Sequence, residues 1–190
     1  MSIVITDLCK SFGSTPVLQH FTWTVDRPMV LMGRSGCGKT TLLRILLGLE
    51  SADSGTVTGV ETPAAVFQED RLCPQLTAVQ NVELVLPEGK TQYKTQIVPD
   101  FQRFGYDKQA LALPARKLSG GQKRRAALLR ALWAGCDTLL LDEPFTGMDP
   151  ETMKKAAALL KERRGERAVL LATHDREAIR ELGWRVIDLT

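Results

Sequence analysis

The sequence predicts an α/β fold with a mainly parallel sheet, antiparallel strands near the N-terminus and an inserted helical subdomain at approximately residues 72–134. Apolar runs at residues 138–141 and 168–171 are continuous and short, which is typical of strands buried on both faces. Residues 21–25 instead alternate apolar side chains with threonine, as antiparallel strands do. Beyond residue 68 the pattern becomes helical. From the length and composition of the chain, we expect a single domain over residues 1–190.

A complete phosphate-loop motif follows a predicted strand at residues 29–32. It fits GxxxxGK(S/T) at every fixed position, and an apolar helical pattern follows it up to about Gly48. Glycines let backbone N–H groups surround phosphate oxygens, and the helix N-terminus adds positive potential. The sequence thus predicts a phosphate-loop NTPase core, and a glycine-rich turn without nucleotide is the disfavoured alternative. The predicted nucleotide-binding residues are Gly33, Arg34, Ser35, Gly36, Cys37, Gly38, Lys39, Thr40 and Thr41.

Lys39 and Thr40 of the phosphate loop have specific predicted roles, and two acidic residues at the end of a later strand are expected to act with them. Lys39 is expected to pair with the β and γ phosphates, and the Thr40 hydroxyl to ligate Mg²⁺, which prefers oxygen ligands. The buried strand at residues 138–141 runs into Asp142 and Glu143. Asp142 is expected to hold the same Mg²⁺, as the second acid of phosphate-loop enzymes does. Taken without the phosphate loop, these acids could simply be solvated residues at a strand end.

Residues 118–122 read LSGGQ and lie between the phosphate loop and the acidic strand end. Paired glycines, a serine hydroxyl and a following helix, supported by residues 123–132, again provide donors for phosphate. Taken in order, the three motifs resemble the nucleotide-binding subunit of ATP-binding cassette (ABC) transporters. The resemblance covers most of the chain, from Phe12 to His174. It implies that two cassettes pair head to tail, so that Ser119, Gly120, Gly121 and Gln122 contact the ATP held by the partner.

The resemblance also assigns roles to single residues. Glu143 resembles the catalytic glutamate that polarises the attacking water. Gln68 resembles the glutamine that contacts Mg²⁺ or that water, and His174 the histidine that bonds the γ-phosphate. Asp149 matches a loop that crosses the dimer interface, although capping the helix that begins at Pro150 could alone explain it. Phe12 is the candidate for stacking on adenine, with a place in the core of the first hairpin as its alternative.

Composition agrees with a globular domain: the 190 residues are 44% hydrophobic and 25% charged, with a net charge of +3. The charge is too small to predict partners, and basic residues around the LSGGQ motif are more typical of a solvated helix face than of a nucleic-acid site. No nucleic-acid partner is expected. Four cysteines without metal spacing predict free thiols in a reducing cytosol. Apolar stretches are far shorter than the ~20 residues that span a bilayer.

By resemblance, the expected partners are a second cassette, integral membrane permease subunits and a substrate-binding protein. Residues 72–77 are the candidate contact with the membrane subunits, which would place the protein in the cytoplasm on the inner face of the cell membrane. An importer is favoured over an exporter. The alternatives are an ABC ATPase of DNA repair or translation, a phosphate-loop kinase or GTPase, which should lack LSGGQ, and an inactive binding module, which should lack Glu143.

Overall fold

The computed structural model describes residues 2–87 and 94–189. Its strands are β1 (Ile3–Phe12), β2 (Thr15–Val25), β3 (Met29–Met32), β4 (Ser54–Thr58), β5 (Pro63–Val66), β6 (Thr138–Asp142), β7 (Ala168–Ala172) and β8 (Arg185–Asp188). Its α-helices are α1 (Lys39–Leu46), α2 (Ala78–Glu83), α3 (Lys94–Arg103), α4 (Lys108–Ala112), α5 (Gly120–Trp133), α6 (Pro150–Arg163) and α7 (Arg176–Leu182). A 3₁₀ turn, Ala115–Lys117, precedes α5.

The strands form two sheets of different kinds. A three-stranded sheet has the order β2-β1-β4, and both of its strand pairs are antiparallel. A five-stranded sheet has the order β5-β6-β7-β3-β8, in which β3, β6, β7 and β8 pair in parallel. Every residue of β6 and β7 is buried, as the continuous apolar runs predicted. The predicted α/β class, mainly parallel with antiparallel N-terminal strands, is confirmed.

The described residues group into two compact units. The first comprises Met1–Ala65, Cys136–Glu143 and Glu166–Thr190, and the second comprises Val66–Gly135 and Pro144–Gly165. In the first unit, Ile3 and Ile5 of β1 pack with Leu42 of α1 and Leu170 of β7 in one apolar core. This core joins the antiparallel sheet, α1 and the parallel sheet, and it fixes the strand ends that carry the site.

The second unit is mainly helical, and its largest fully buried side chains include Ile97, Phe101, Phe104, Leu128 and Leu129. A buried carboxylate also joins three of its helices. Asp100 of α3 is 1% exposed and accepts from Trp133 Nε1 of α5 at 3.1 Å and from Arg163 of α6 at 3.2 Å. A buried charge is tolerated when it is paired and hydrogen-bonded in this way.

Helix ends follow the capping chemistry of the sequence. Thr77 and Gln80 form a capping box at the start of α2, and the helix ends at Glu83. The helix after LSGGQ begins at Gly120, so the glycine pair lies in its first turn. Among the helices within residues 2–87 and 94–189, none combines the length and apolarity needed to cross a bilayer.

Candidate functional site

Three strands of the parallel sheet end side by side. The phosphate loop follows β3, the two predicted acids lie at the end of β6, and His174 follows β7. In the strand register Asp142 lies opposite Ala172, and Ala172 lies opposite Leu31. Backbone bonds continue the pairing past the strand ends: Glu143 N donates to Ala172 O at 2.9 Å, and Thr173 N donates to Leu31 O at 3.1 Å. The carboxyl ends of β3, β6 and β7 therefore form one edge, where α/β sheets usually bind ligands.

The phosphate loop leaves this edge from β3 and enters α1. Gly38 caps α1 with φ of 100°, in the left-handed region. A Cβ atom built on Gly38 would lie 2.8 Å from Val17 Cγ1 and 3.1 Å from the Val17 carbonyl oxygen. Glycine is required here for both its backbone conformation and its lack of a side chain. The β1–β2 hairpin thus packs directly against the loop.

The Lys39 side chain lies inside the phosphate loop rather than in solvent. The residue is 8% exposed, and its Nζ donates to the carbonyl oxygens of Gly33 at 2.7 Å and Arg34 at 3.0 Å. Arg34, Ser35 and Gly36 at the tip of the loop are exposed. An ammonium group beside the N-terminus of α1 makes this loop electropositive, which fits phosphate oxygens.

Thr40 and Asp142 meet, although 102 positions separate them in the chain. Thr40 Oγ1 donates to Asp142 Oδ2 at 2.7 Å. A hydroxyl oxygen and a carboxylate oxygen in contact, next to a phosphate-binding loop, form a donor set that suits Mg²⁺. Magnesium therefore fits these residues. Thr41 follows in the first turn of α1 and is half-buried.

The Glu143 carboxylate is held by two residues of the loop after β7. Oε2 accepts from Thr173 Oγ1 at 2.8 Å, and Oε1 accepts from the His174 backbone N at 3.1 Å. His174 Nδ1 also lies 2.6 Å from Oε1. The Glu143 side chain is 15% exposed, whereas that of His174 is 76% exposed. The carboxylate is thus fixed in orientation at the sheet edge.

Glu143 also has an uncommon backbone conformation, with φ of 47°. A residue other than glycine in this region costs on the order of 1–3 kcal/mol, and such residues concentrate at functional sites. Thr173 was not predicted from the sequence, because a threonine at the end of a buried strand gives no distinctive pattern. It donates to Glu143 and accepts from Asp175 N at 3.1 Å, so it links the acid to the start of α7.

Phe12 lies at the end of β1 and is 50% exposed, so its alternative reading as a core residue is wrong. Lys10 Nζ lies 5.1 Å from the centroid of the Phe12 ring. Lys10 is held in turn by Glu50 at 2.9 Å, and its hydrogen bond to Glu50 keeps the Lys10 pKa above the usual value. The Phe12 ring is exposed and has the Lys10 ammonium group near it, so it is suited to stacking against a planar ligand group.

In the second unit, the LSGGQ residues form the N-terminus of α5. Ser119 Oγ accepts from Gln122 N at 3.2 Å, and Gln122 Oε1 accepts from Ser119 N at 2.9 Å, which makes a capping box. Ser119 and Gly120 are exposed. A Cβ on Gly121 would lie 3.1 Å from the Gly147 carbonyl oxygen, so the loop before α6 packs against this turn.

Asp149 caps α6, as its local alternative predicted. Its carboxylate accepts from Thr152 N at 2.9 Å and from Thr152 Oγ1 at 2.6 Å, and Pro150 is the first helical residue. These hydrogen bonds, with that from the Thr152 hydroxyl as the largest cause, lower the Asp149 pKa. Capping accounts for the aspartate locally, so its interface role stays a prediction.

Gln68 has an exposed side chain, whereas its backbone is tightly held. Its carbonyl oxygen, and that of Phe67, accept from the guanidinium of Arg124 in α5. The neighbouring Arg125 donates to Gly121 O at 3.1 Å and also to Phe104 O. Two of the basic residues after LSGGQ thus bind backbone within the second unit, which their charge pattern did not predict.

Known proteins resemble this chain over most of its length. A sequence model of the ABC transporter family matches residues 19–146. The chain is 40% identical over 192 residues to the aliphatic sulfonates import ATP-binding protein SsuB 2 of Frankia alni, covering 99% of this chain and 77% of that protein. It is 38% identical over 205 residues to the methionine import ATP-binding protein MetN of Rhizobium johnstonii, covering 96% of this chain and 56% of that protein.

The fold is similar to that of a solved cassette. Two dimeric structures of the ATP-binding cassette MJ0796, one of them a post-hydrolysis state bound to ADP and Pi, match with a TM-score of 0.83 and 26% sequence identity. They cover 98% and 99% of this chain, and 93% and 94% of the respective solved chains. The similarity extends over both units described above.

Alkylation of Cys37 tests whether the loop binds nucleotide. Cys37 is half-buried within the loop, so a bound triphosphate should cover it and slow its reaction with N-ethylmaleimide severalfold. Cys136, also half-buried, precedes β6 at the opposite end from Asp142 and serves as the internal control. Peptide mass spectrometry reports both sites. An unchanged Cys37 rate with saturating ATP would count against phosphate binding by the loop.

Proposed function

The chain belongs to the ABC transporter family as an ATP-hydrolysing subunit, and from this premise we propose that it pairs with a second cassette to power import through separate membrane subunits. The observation that carries the catalytic part of the proposal is the Glu143 carboxylate, fixed by Thr173 and His174 one residue after the Thr40–Asp142 pair. A fixed acid beside a phosphate and cation site suits hydrolysis of a phosphoanhydride.

The phosphate loop binds the triphosphate in this proposal. Residues 33–41 surround it, and the Lys39 ammonium exchanges its loop carbonyls for β- and γ-phosphate oxygens. Thr40 and Asp142 would hold Mg²⁺. By the family resemblance, Gln68 would contact either Mg²⁺ or the attacking water. When bound, Mg²⁺ neutralises charge on the phosphate oxygens. Phe12 stacks on adenine, and a single stacked ring selects loosely between purines.

Glu143 acts on the attacking water. Its carboxylate accepts a hydrogen bond from the water and directs the water's lone pair at the γ-phosphorus, while Thr173 and His174 keep the carboxylate from turning away. Because His174 Nδ1 is engaged by Glu143, its contact with the γ-phosphate is made through Nε2. His174 therefore links the presence of the γ-phosphate to the placement of the base.

The LSGGQ turn supplies the other face of the nucleotide site, in trans. Ser119, Gly120, Gly121 and Gln122 open a helix of 14 residues, whose N-terminus favours an anion. The head-to-tail pairing implied by the family, together with the dimeric state of the MJ0796 structures, supports contact of this turn with the ATP of the partner cassette. Asp149 lies two residues after Gly147, whose carbonyl oxygen faces Gly121. We therefore expect Asp149 to take part in the same interface.

Import is supported by the names of both curated relatives, which are ATP-binding subunits of importers. These names specify different cargoes, so no cargo is assigned to this chain. We infer that residues 72–77 contact permease subunits at the inner face of the cell membrane, and that a substrate-binding protein delivers the cargo. Residues 73–75 are exposed. The buried side chain of Asn81 fixes this loop, because it accepts from Cys73 N and donates to Thr77 O.

Replacing Glu143 by Gln tests the catalytic assignment. The neutral amide keeps the side-chain shape, but it loses the negative charge and replaces one acceptor oxygen by an NH₂ donor. It therefore polarises the water poorly, and ATP hydrolysis should fall by about 10²–10⁴-fold. ATP binding should persist, and the variant should elute as a dimer in size-exclusion chromatography with ATP. The control is Glu166→Gln, a change at an exposed glutamate, which should leave hydrolysis, ATP binding and elution as they are in the unmodified protein. Full hydrolysis in Glu143→Gln would overturn the role of Glu143.

Affinity purification from detergent-solubilised membranes of the native host tests the transport assignment. The tagged chain should retain a multi-spanning membrane protein, and Leu72→Asp should release it because a charge at the contact must be desolvated. Leu49→Asp, a change at a leucine that is 50% exposed in the first unit, is the matched control. Absence of any membrane protein would contradict the transport function, and retention by Leu72→Asp would contradict the contact site.

A further inference from the structure

The exposed ring of Phe12 lies against a lysine that is itself buried. Phe12 is 50% exposed, whereas Lys10 is 8% exposed. Lys10 Nζ lies over the ring at 5.1 Å from its centroid, which is within the ~6 Å at which a cation is attracted to an aromatic face. A charge therefore occupies one face of the ring, and a planar ligand group would stack on the opposite face.

Two carboxylates hold the Lys10 ammonium group in this place. Its Nζ lies 2.9 Å from Glu50 Oε1 and 3.6 Å from Asp53 Oδ1. The hydrogen bond to Glu50 is the largest cause that raises the Lys10 pKa, so the side chain stays charged at neutral pH. A lysine stem normally samples many rotamers, and two ionic partners restrict it to few.

The end of β1 depends on the same short segment of chain. The register of β1 against β2 shifts repeatedly between residues 5 and 11, so the ladder is irregular shortly before Phe12. Asp53 compensates for this irregularity. Its Oδ2 accepts from Ser11 N at 2.7 Å, and its backbone N donates to Cys9 O at 2.9 Å. One aspartate thus fixes the backbone on both sides of the lysine.

Residues 50–53 follow the C-terminal end of α1, the helix that the phosphate loop precedes. That helix has eight residues, which span about 12 Å at 1.5 Å per residue. Leu49 N donates to Arg44 O at 2.9 Å, so the chain beyond the helix remains bonded to it. At the other end of α1 the β1–β2 hairpin packs on Gly38. The strand that carries Phe12 is therefore anchored at both ends of the helix.

We propose that Lys10 is a positioning residue for the nucleotide base, which holds the Phe12 ring in the orientation that stacks on adenine. This inference rests on the proposed function, in which Phe12 binds the base and the phosphate loop binds the phosphates. An unsupported surface ring loses rotamer freedom when a base stacks on it, whereas a ring held by Lys10 has lost that freedom beforehand. A purely structural ion pair would instead stabilise β1 and leave base binding unchanged.

A double-mutant cycle between Lys10→Met and Phe12→Ala tests this with ADP, which binds without being hydrolysed. Methionine keeps an unbranched apolar stem and removes the charge. Lys10→Met should raise the Kd for ADP, measured by isothermal titration calorimetry with Mg²⁺, about 2- to 5-fold, the range for one cation–π contact at a partly exposed site. In the Phe12→Ala background the same change should leave the Kd unaltered, because no ring remains to be positioned.

Inorganic pyrophosphate separates base binding from phosphate binding. Its Kd, measured by competition with ADP, should be the same in Lys10→Met and in the unmodified protein. The reason is that Lys10 contacts the Phe12 ring, Glu50 and Asp53, which would not touch the phosphates. The variant should remain folded, because these two carboxylates are partly exposed and water can solvate them.

Lys155→Met is the matched control. Lys155 Nζ lies 2.7 Å from Glu151 Oε1 in α6, so this change removes a comparable ion pair in the second unit. It should leave the Kd for ADP unchanged. Lys10→Arg keeps a cation that can pair with a carboxylate and lie over a ring, so it should hold that Kd within about twofold of the unmodified value.

An unchanged Kd for ADP in Lys10→Met would overturn the inference, as would an equal rise in both Phe12 backgrounds. An equal rise for pyrophosphate and ADP, or a loss in Lys10→Arg as large as in Lys10→Met, would also overturn it. All four results leave the proposed function intact. An unchanged Kd for ADP in Phe12→Ala would overturn both the inference and the stacking role of Phe12. Absence of ADP binding by the unmodified protein would instead contradict the proposed function.

Discussion

The parallel pairing of β3, β7 and β6 is the constraint on which the chemistry of the first unit depends. Because Asp142 is in register with Ala172, and Ala172 with Leu31, the phosphate loop, two acids and His174 leave the sheet at one edge. A slip of one residue in β6 would turn every side chain of that strand to the opposite face. The Thr40–Asp142 and Glu143–Thr173 bonds would then be lost together.

The two units use the same physical device for phosphate. In each, a glycine-containing turn leads into a helix whose first N–H groups have no intrahelical acceptor. In the first unit the turn precedes α1 and contains an inserted ammonium group. In the second unit the turn precedes α5. Ser119 caps that helix by accepting from Gln122 N rather than from a glycine N–H group. Carrying two such elements in one chain is explained when two chains share two nucleotides.

Much of this could be predicted from the sequence because the informative residues carry local signals. Apolar runs identified β6 and β7, the glycine spacing identified the loop, and Pro150 after Asp149 identified the start of α6. Contacts between residues distant in sequence gave no such signal. The residues next to Thr173 and Arg124 in the sequence form no motif that points to them. Their contacts with Glu143 and Gln68 become visible only in the folded structure.

ATP hydrolysis by a mixture of two inactive variants tests the shared site most directly. Ser119→Asp keeps a residue that can cap α5 but adds a negative charge where phosphate would bind. Lys39→Ala disables the phosphate loop and leaves the LSGGQ turn intact. The account predicts that each variant is inactive alone and that mixing restores turnover, because the mixed dimer contains one complete site. Turnover by Ser119→Asp alone at the rate of the unmodified protein would contradict it.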